Sequence, residues 1–297
     1  MSRAISRKSV AFAVAALTGL CLAAVVWLPM QTDGQAPGID PNTLDDHTVL
    51  IERRPIEGLS NVSGLAYSKD TNTLFAVINR PAAIAELSLE GRLLRHFPLP
   101  EGWDTEGITH LQDDLFIVSD ERGNDLHWIR IPPGDGGAVH EQTTSLSLGW
   151  IALPNLGLEG VIWDSVTSEL LLVNEKWPRR ILQVSGLWPL QETPQVGIRE
   201  WWPERASGLP VSDLAGVTLN HKGDGSAGNL IVLSEESKVA LEYTPAGVLA
   251  GVLPLQSGSS GLTQDIPQPE GIAIGPDGEL YIVSEPNLFY RFAARTD

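Results

Sequence analysis

The chain of 297 residues carries 37 Asp and Glu against 20 Lys and Arg, a formal net charge of -17. Such a surface repels a phosphate backbone, whose binding depends on Lys and Arg, so nucleic acid is excluded as a partner and cations or cationic ligands fit better. With 42% hydrophobic residues, 29 Gly and 21 Pro, the composition excludes a disordered chain and points to many turns, hence an all-β architecture rather than long helices.

Residues 1–8 form a basic segment containing Arg3, Arg7 and Lys8, and residues 9–30 are uncharged and largely apolar. At ~1.5 Å per residue a helix of that length crosses a hydrocarbon core of ~30 Å. The run exceeds the apolar stretch of a cleaved signal and no small-x-small site follows it, so residues 9–30 read as an uncleaved transmembrane anchor, with a cleaved signal as the alternative. The basic end then lies in the cytoplasm and the body outside. Cys21 is the single cysteine, so no intramolecular disulfide exists. Leu20 precedes it where lipidation wants a small residue, and the apolar run continues to Met30, which argues against a lipid anchor. Residues 31–46 are polar, with Pro37, Gly38 and Pro41, and read as a linker to a domain at 47–297.

Within that domain one unit recurs five times. A small or acidic residue precedes Gly and an apolar residue at Ser63-Gly64-Leu65, Glu106-Gly107-Ile108, Glu159-Gly160-Val161, Ala215-Gly216-Val217 and Glu270-Gly271-Ile272. A turn follows, such as Gln112-Asp113-Asp114 or Gly275-Pro276-Asp277-Gly278, and then a second strand at 74–79, 115–120, 170–175, 230–235 or 280–285. Each second strand begins with Leu and ends in Asn79, Asp120, Glu175, Glu235 or Glu285. Third strands are expected at 84–88, 126–130, 181–184, 239–243 and 288–292, with fourth strands at 92–99 and 248–253. The glycines recur every 43 to 56 residues, the spacing of propeller blades rather than of solenoid repeats. The fifth copy runs out of chain after its third strand, while an unassigned strand at 48–54 precedes the first copy. If that N-terminal strand supplies the missing outer strand, the ring closes and no bare sheet edge is left there. The count is five four-stranded blades; a sixth is the alternative, because residues 183–212 are long and carry Trp188, Trp201 and Trp202 without a clear repeat.

In an antiparallel hairpin the start of the first strand and the end of the second lie together. With the first strand innermost, Glu106, Glu159 and Glu270 approach the axis, and Asp120, Glu175, Glu235 and Glu285 surround the same mouth beside Asn79. Where an inner Glu is missing, Asn61 and Asp213 stand two residues before Ser63 and Ala215 and offer oxygen ligands. Carboxylates converging on one axis repel one another unless protonated or neutralised, and hard oxygen ligands suit calcium or magnesium. No His or Cys grouping has zinc-like spacing. The alternative is purely structural: Gly allows close backbone approach at the axis and the Glu binds neighbouring amides. His110 and His127 follow ring elements of the second blade and are candidate general bases, or ordinary strand residues. Trp103, Trp163 and Trp177 are placed near the mouth, to stack on a ligand or to pack between blades. The chain has no Gly-x-Ser-x-Gly elbow, no phosphate-cradling Gly-Lys-Thr loop and no dinucleotide fingerprint, so no catalytic residue is assigned.

The segments Asn61-Val62-Ser63-Gly64-Leu65, Asp104-Thr105-Glu106-Gly107-Ile108, Leu158-Glu159-Gly160-Val161, Leu172-Val173-Asn174-Glu175, Ser212-Asp213-Leu214-Ala215-Gly216 and Pro269-Glu270-Gly271-Ile272, from about Thr48 onward, resemble the SdiA-regulated, YjiK-like family of membrane-anchored bacterial β-propellers. The resemblance implies a bacterial envelope protein of propeller fold, and with the anchor this means the inner membrane, with the propeller in the periplasm. The chain also looks distantly like calcium-dependent lactonase and phosphotriesterase propellers, which hold calcium in the central tunnel, although no motif carries their catalytic residues across. The expectation is a membrane-tethered propeller that binds a divalent cation in its channel and takes a small-molecule or envelope-protein ligand as a sensory or scaffold protein. The alternative is a metal-dependent hydrolase of esters, lactones or phosphoesters, with Glu106, Glu159 or a nearby His as base.

Overall fold

The computed structural model describes residues 43–132, 134, 140–147, 157–175, 178–188, 195–201 and 209–294. After a 3-10 turn at Leu44–Asp46 comes β1 (His47–Pro55), which stands before the first repeat. The repeats then supply β2 (Val62–Ser68), β3 (Thr73–Asn79), β4 (Ala82–Leu87) and β5 (Leu93–Pro98); β6 (Thr105–Gln112), β7 (Leu115–Asp120), β8 (Asp125–Arg130) and β9 (His140–Ser147); and β10 (Leu158–Asp164), β11 (Glu169–Asn174), β12 (Arg180–Ser185) and β13 (Gly197–Trp201). They continue with β14 (Gly216–Asn220), β15 (Asn229–Ser234), β16 (Val239–Tyr243) and β17 (Leu249–Pro254), and end with β18 (Gln268–Ile274), β19 (Leu280–Glu285) and β20 (Leu288–Ala294).

Each set forms one antiparallel four-stranded sheet, and the fifth sheet has the order β1-β20-β19-β18. The expected closure is therefore present: His47 pairs with Ala294 and Pro55 with Leu288, so the N-terminal strand is the outer strand of the last blade. The described residues form five blades, not six. The long stretch after β12 supplies β13, the outer strand of the third blade, and Trp201 packs edge-on against Tyr243 of the fourth, ring centroids 5.7 Å apart.

Strands such as β3 are buried on both faces, which explains why they read as continuous apolar runs instead of alternating. Each blade packs face to face with the next. Phe75 meets Phe116 between the first and second blades at 4.5 Å, and Leu65 and Leu74 join Tyr281 and Phe289 between the first and fifth. Five such clusters alternate with five sheets around the ring.

The innermost strands are β2, β6, β10, β14 and β18, and they touch in a cycle that requires glycine. A Cβ on Gly64 would lie 2.4 Å from the Glu106 carbonyl oxygen, one on Gly107 2.6 Å from that of Glu159, one on Gly216 2.8 Å from that of Glu270 and one on Gly271 2.4 Å from that of Ser63; on Gly160 it would meet Val217 at 3.1 Å. The five glycines and the apolar residues after them enclose a waist of about 10 Å³, no more than one water can fill.

The propeller also begins earlier than residue 47. Leu44 is fully buried, its N–H donates to Glu242 Oε2 at 3.0 Å, and the Val252 N–H donates to Asp45 Oδ1 at 2.7 Å, so the last residues assigned to the linker belong to the fourth blade's packing. The expected anchor at 9–30 lies outside the described residues, among which no helix is long and apolar enough to cross a membrane.

Candidate functional site

Because β6, β10 and β18 start at the same end of the ring, Glu106, Glu159 and Glu270, each one residue before its axial glycine, stand around a common mouth. Glu106 is held from the first blade. Ser63 donates its hydroxyl to Oε2 at 2.6 Å and Asn79 Nδ2 donates to Oε1 at 3.3 Å. Burial pushes the Glu106 carboxyl up to about 7; the two hydrogen bonds oppose the shift and the charges of Glu121 and Asp104 add to it. Burial also raises Glu159 well above the ordinary carboxyl range, reinforced by Glu106, Glu121, Glu175 and Glu270. Glu270 is pushed up to about 8 by burial and then by Glu235, Glu285, Glu106 and Asp213.

Glu121 belongs to this group and was missed from the sequence. A Cβ on Gly157 would lie 2.3 Å from Glu121 Oε1 and 2.7 Å from Glu159 Oε1, so a residue without a side chain makes room for two carboxylates. Burial raises Glu121 as well, with Asp104 and Glu175 adding and Arg80 opposing.

The sequence reading put Asp120 at that point, and the register shows why it falls one residue short. The residue after each axial glycine pairs with Ala76, Val118, Leu172, Val232 or Ile282, and three residues beyond stand Asn79, Glu121, Glu175, Glu235 and Glu285. Four second strands align by their initial Leu. In the second blade Phe116, opposite His110, stands in the aligned position, and Leu115 sits one residue earlier, opposite Gln112, where the first, third and fourth hairpins carry Thr73, Glu169 and Asn229. Asp120 is buried off the ring: its Oδ1 accepts the Asp104 N–H at 2.9 Å, and it groups with Asp125 and His127, their polar atoms all within 4.8 Å of one another.

Asp213 is committed as well. It is 1% exposed and its carboxylate accepts the Ser234 hydroxyl and the backbone N–H groups of Glu235 and Glu236, closing the turn after β15. Asn61 donates to the Arg80 carbonyl at 2.9 Å. Both side chains are thus held by turns of their own blades, and the Asp213 charge still reaches Glu270. Glu175, Glu235 and Glu285 stand at or just past the ends of their strands, and their charges act on Glu159 or Glu270.

The candidate bases do not face this mouth. His110 lies four residues further along β6, about 13 Å away at the rise of a strand, and its Nε2 meets the Asp113 carbonyl at 3.0 Å. Trp163 shares that opposite end, where Tyr67, Thr109, His110, Trp163 and Thr218 line a separate cavity of about 150 Å³ beyond the waist. His127 stacks on Trp103, ring centroids 3.8 Å apart, in the outer part of the second blade. Trp177 lies outside the described residues.

The mouth presents carboxylates, the Ser63 hydroxyl and the Asn79 amide, whose oxygens suit a hard divalent cation and not a soft metal. Glu106, Glu159, Glu270 and Glu121 would have to draw together to hold one, since among the described residues the set of three whose ligand atoms already lie within 4.8 Å of one another is Asp120, Asp125 and His127; the cation's charge would replace the protons that burial and repulsion otherwise favour.

Among solved structures the chain is similar to Myxococcus xanthus glutaminyl cyclase, with a TM-score of 0.58 and 15% identity over 83% of this chain and 95% of that one. It is also similar to virginiamycin B lyase from Staphylococcus aureus, with a TM-score of 0.41 and 16% identity over 80% of this chain and 68% of that one. At these identities the glutaminyl cyclase likeness concerns the fold alone. The family model described as SdiA-regulated matches residues 40–293, and the chain therefore belongs to the SdiA-regulated family.

Proposed function

We propose that this protein is a membrane-tethered propeller of the bacterial periplasm, anchored in the inner membrane by residues 9–30, that binds calcium or magnesium at its acidic mouth and uses it as a ligand-binding or sensory site. The observation that carries the reading is the convergence of Glu106, Glu121, Glu159 and Glu270, all raised by burial and mutual repulsion. A bound divalent ion would relieve that repulsion as the carboxylates draw in around it. Calorimetric titration of the full chain with calcium tests it: saturable binding lost in Glu106→Gln with Glu159→Gln supports the site, and no binding eliminates it.

One observation favours a second reading, a metal-dependent hydrolase of esters, lactones or phosphoesters. Glu106, pushed up to about 7, is poised where a general base works at neutral pH. Turnover on an ester and phosphoester panel that disappears with chelator would select it; turnover indifferent to chelator would dismiss it.

A further inference from the structure

The rim of the acidic mouth is not uniformly acidic. The turn after β3 carries Arg80 and the turn after β7 carries Arg122, and both guanidinium groups address one carboxylate, Asp104, at the entry to β6. Arg122 donates to Asp104 Oδ2 at 3.1 Å and to the Gly102 carbonyl at 3.2 Å. Arg80 stands 3.7 Å from Asp104 Oδ1, too far for a hydrogen bond, and Oδ1 has no hydrogen-bond partner among the described residues although Asp104 is 8% exposed. The Arg80 and Arg122 side chains are 72% and 61% exposed, so most of their donors face outward. Asp104 is thus a post that keeps two guanidinium forks beside the mouth without consuming them. The Glu121 N–H donates to the Asp104 carbonyl at 2.8 Å, which ties this pair to the carboxylates at the axis.

Cationic forks at the edge of a site that holds a cation have one complementary ligand chemistry. Guanidinium groups bind carboxylate and phosphate oxygens in pairs, and a divalent ion leaves outward coordination positions for the same kind of oxygen. We infer that the ligand of this mouth is an oxyanion, a carboxylate or a phosphate, bridging the central cation and the guanidinium groups of Arg80 and Arg122. The inference rests on the cation reading above and narrows it: a neutral lactone or ester leaves the forks unused.

The test uses the full chain loaded with calcium and three small probes, acetate, methyl phosphate and uncharged γ-butyrolactone. Acetate or methyl phosphate binds, the tighter of the two naming the group, and γ-butyrolactone does not. Arg80→Gln with Arg122→Gln weakens the anion at least tenfold while calcium affinity stays equal or rises, since two positive charges have left the rim. Arg80→Gln alone, at a side chain with a single long contact, gives a smaller loss in the same direction if the double variant fails to fold. Arg179→Gln, a cation on the same face away from Asp104, changes nothing. Calcium binding without anion binding, lactone binding without anion binding, or equal anion affinity in wild type and the Arg80 and Arg122 variants overturns the inference and leaves the cation reading standing. Failure of the wild type to bind calcium overturns both.

Discussion

Ser63 donates its hydroxyl to Glu106 Oε2 at 2.6 Å across the boundary between the first and second blades. The first blade, which has no inner glutamate, thereby contributes a donor to its neighbour's. A hydrogen bond to a carboxylate favours the charged form, so it opposes the burial that raises Glu106.

Ser63→Ala should therefore raise the Glu106 pKa further, by about one unit, the equivalent of losing ~1–2 kcal/mol from a charge-assisted hydrogen bond. Carbon-detected NMR titration of the glutamate carboxyls reads this directly. A Glu106 titration unmoved by the substitution would mean that the hydroxyl does not hold the carboxylate.

The raised carboxyls also set how stability varies with pH when no divalent ion is present. Glu106 and Glu270 have folded values of about 7 and about 8 against 4.5 for the ordinary group, so between these limits the folded chain binds more protons than the unfolded one. Stability contributed by the protonated forms is complete below about pH 4.5 and falls as pH rises toward 8. Glu270→Gln should flatten that fall and stabilise the metal-free protein at pH 8 by an amount on the order of 1–3 kcal/mol. Calcium should reverse the trend, binding more tightly at pH 8 than at pH 6 and releasing protons. Titrations in two buffers of different ionisation heat count those protons, and a count of zero would show that the cation does not displace them.

The repeat, the strand pairs and the closing role of β1 were legible in the sequence because Gly, turn residues and apolar runs recur on a blade-length period. Two outer strands, β9 and β13, were not, since an outer strand pairs along one edge only and its sequence is held to little pattern. At the site, Glu106, Glu159 and Glu270 could be placed because each is tied to an axial glycine. The outer ring was placed by counting from a Leu, and in the second blade that Leu stands one position earlier in the hairpin, which moved the count from Glu121 to Asp120. The other mouth was confused with this one for His110 and Trp163 because a strand's two ends read alike in sequence.

That one-residue difference makes a paired prediction. Glu121→Gln should weaken calcium binding about tenfold or more, since its Oε1 shares the space above Gly157 with Glu159. Asp120→Asn should leave calcium affinity within about threefold and instead lower thermal stability, because its carboxylate accepts the Asp104 N–H in a buried position. The reverse outcome would restore Asp120 to the ring and break the register on which the site is drawn.

The mouth exists only because five inner strands come close enough to touch, and Gly271 is the sharpest measure of that approach. A Cβ there would stand 2.4 Å from the Ser63 carbonyl oxygen, 2.6 Å from Val283 Cγ2 and 2.8 Å from the Leu65 nitrogen, two of them backbone atoms that cannot rotate away. The contact joins the fifth blade to the first, so it lies at the seam that β1 also closes. Gly271→Ala must push the two blades apart, and overpacking of this kind costs about 1–3 kcal/mol or more where the neighbours are backbone. The substitution should lower the unfolding midpoint by several degrees and weaken calcium binding together, since Glu270 and the Ser63 hydroxyl move with the seam. Loss of stability with calcium affinity unchanged would show that the position of Glu270 does not depend on the close packing of the axis.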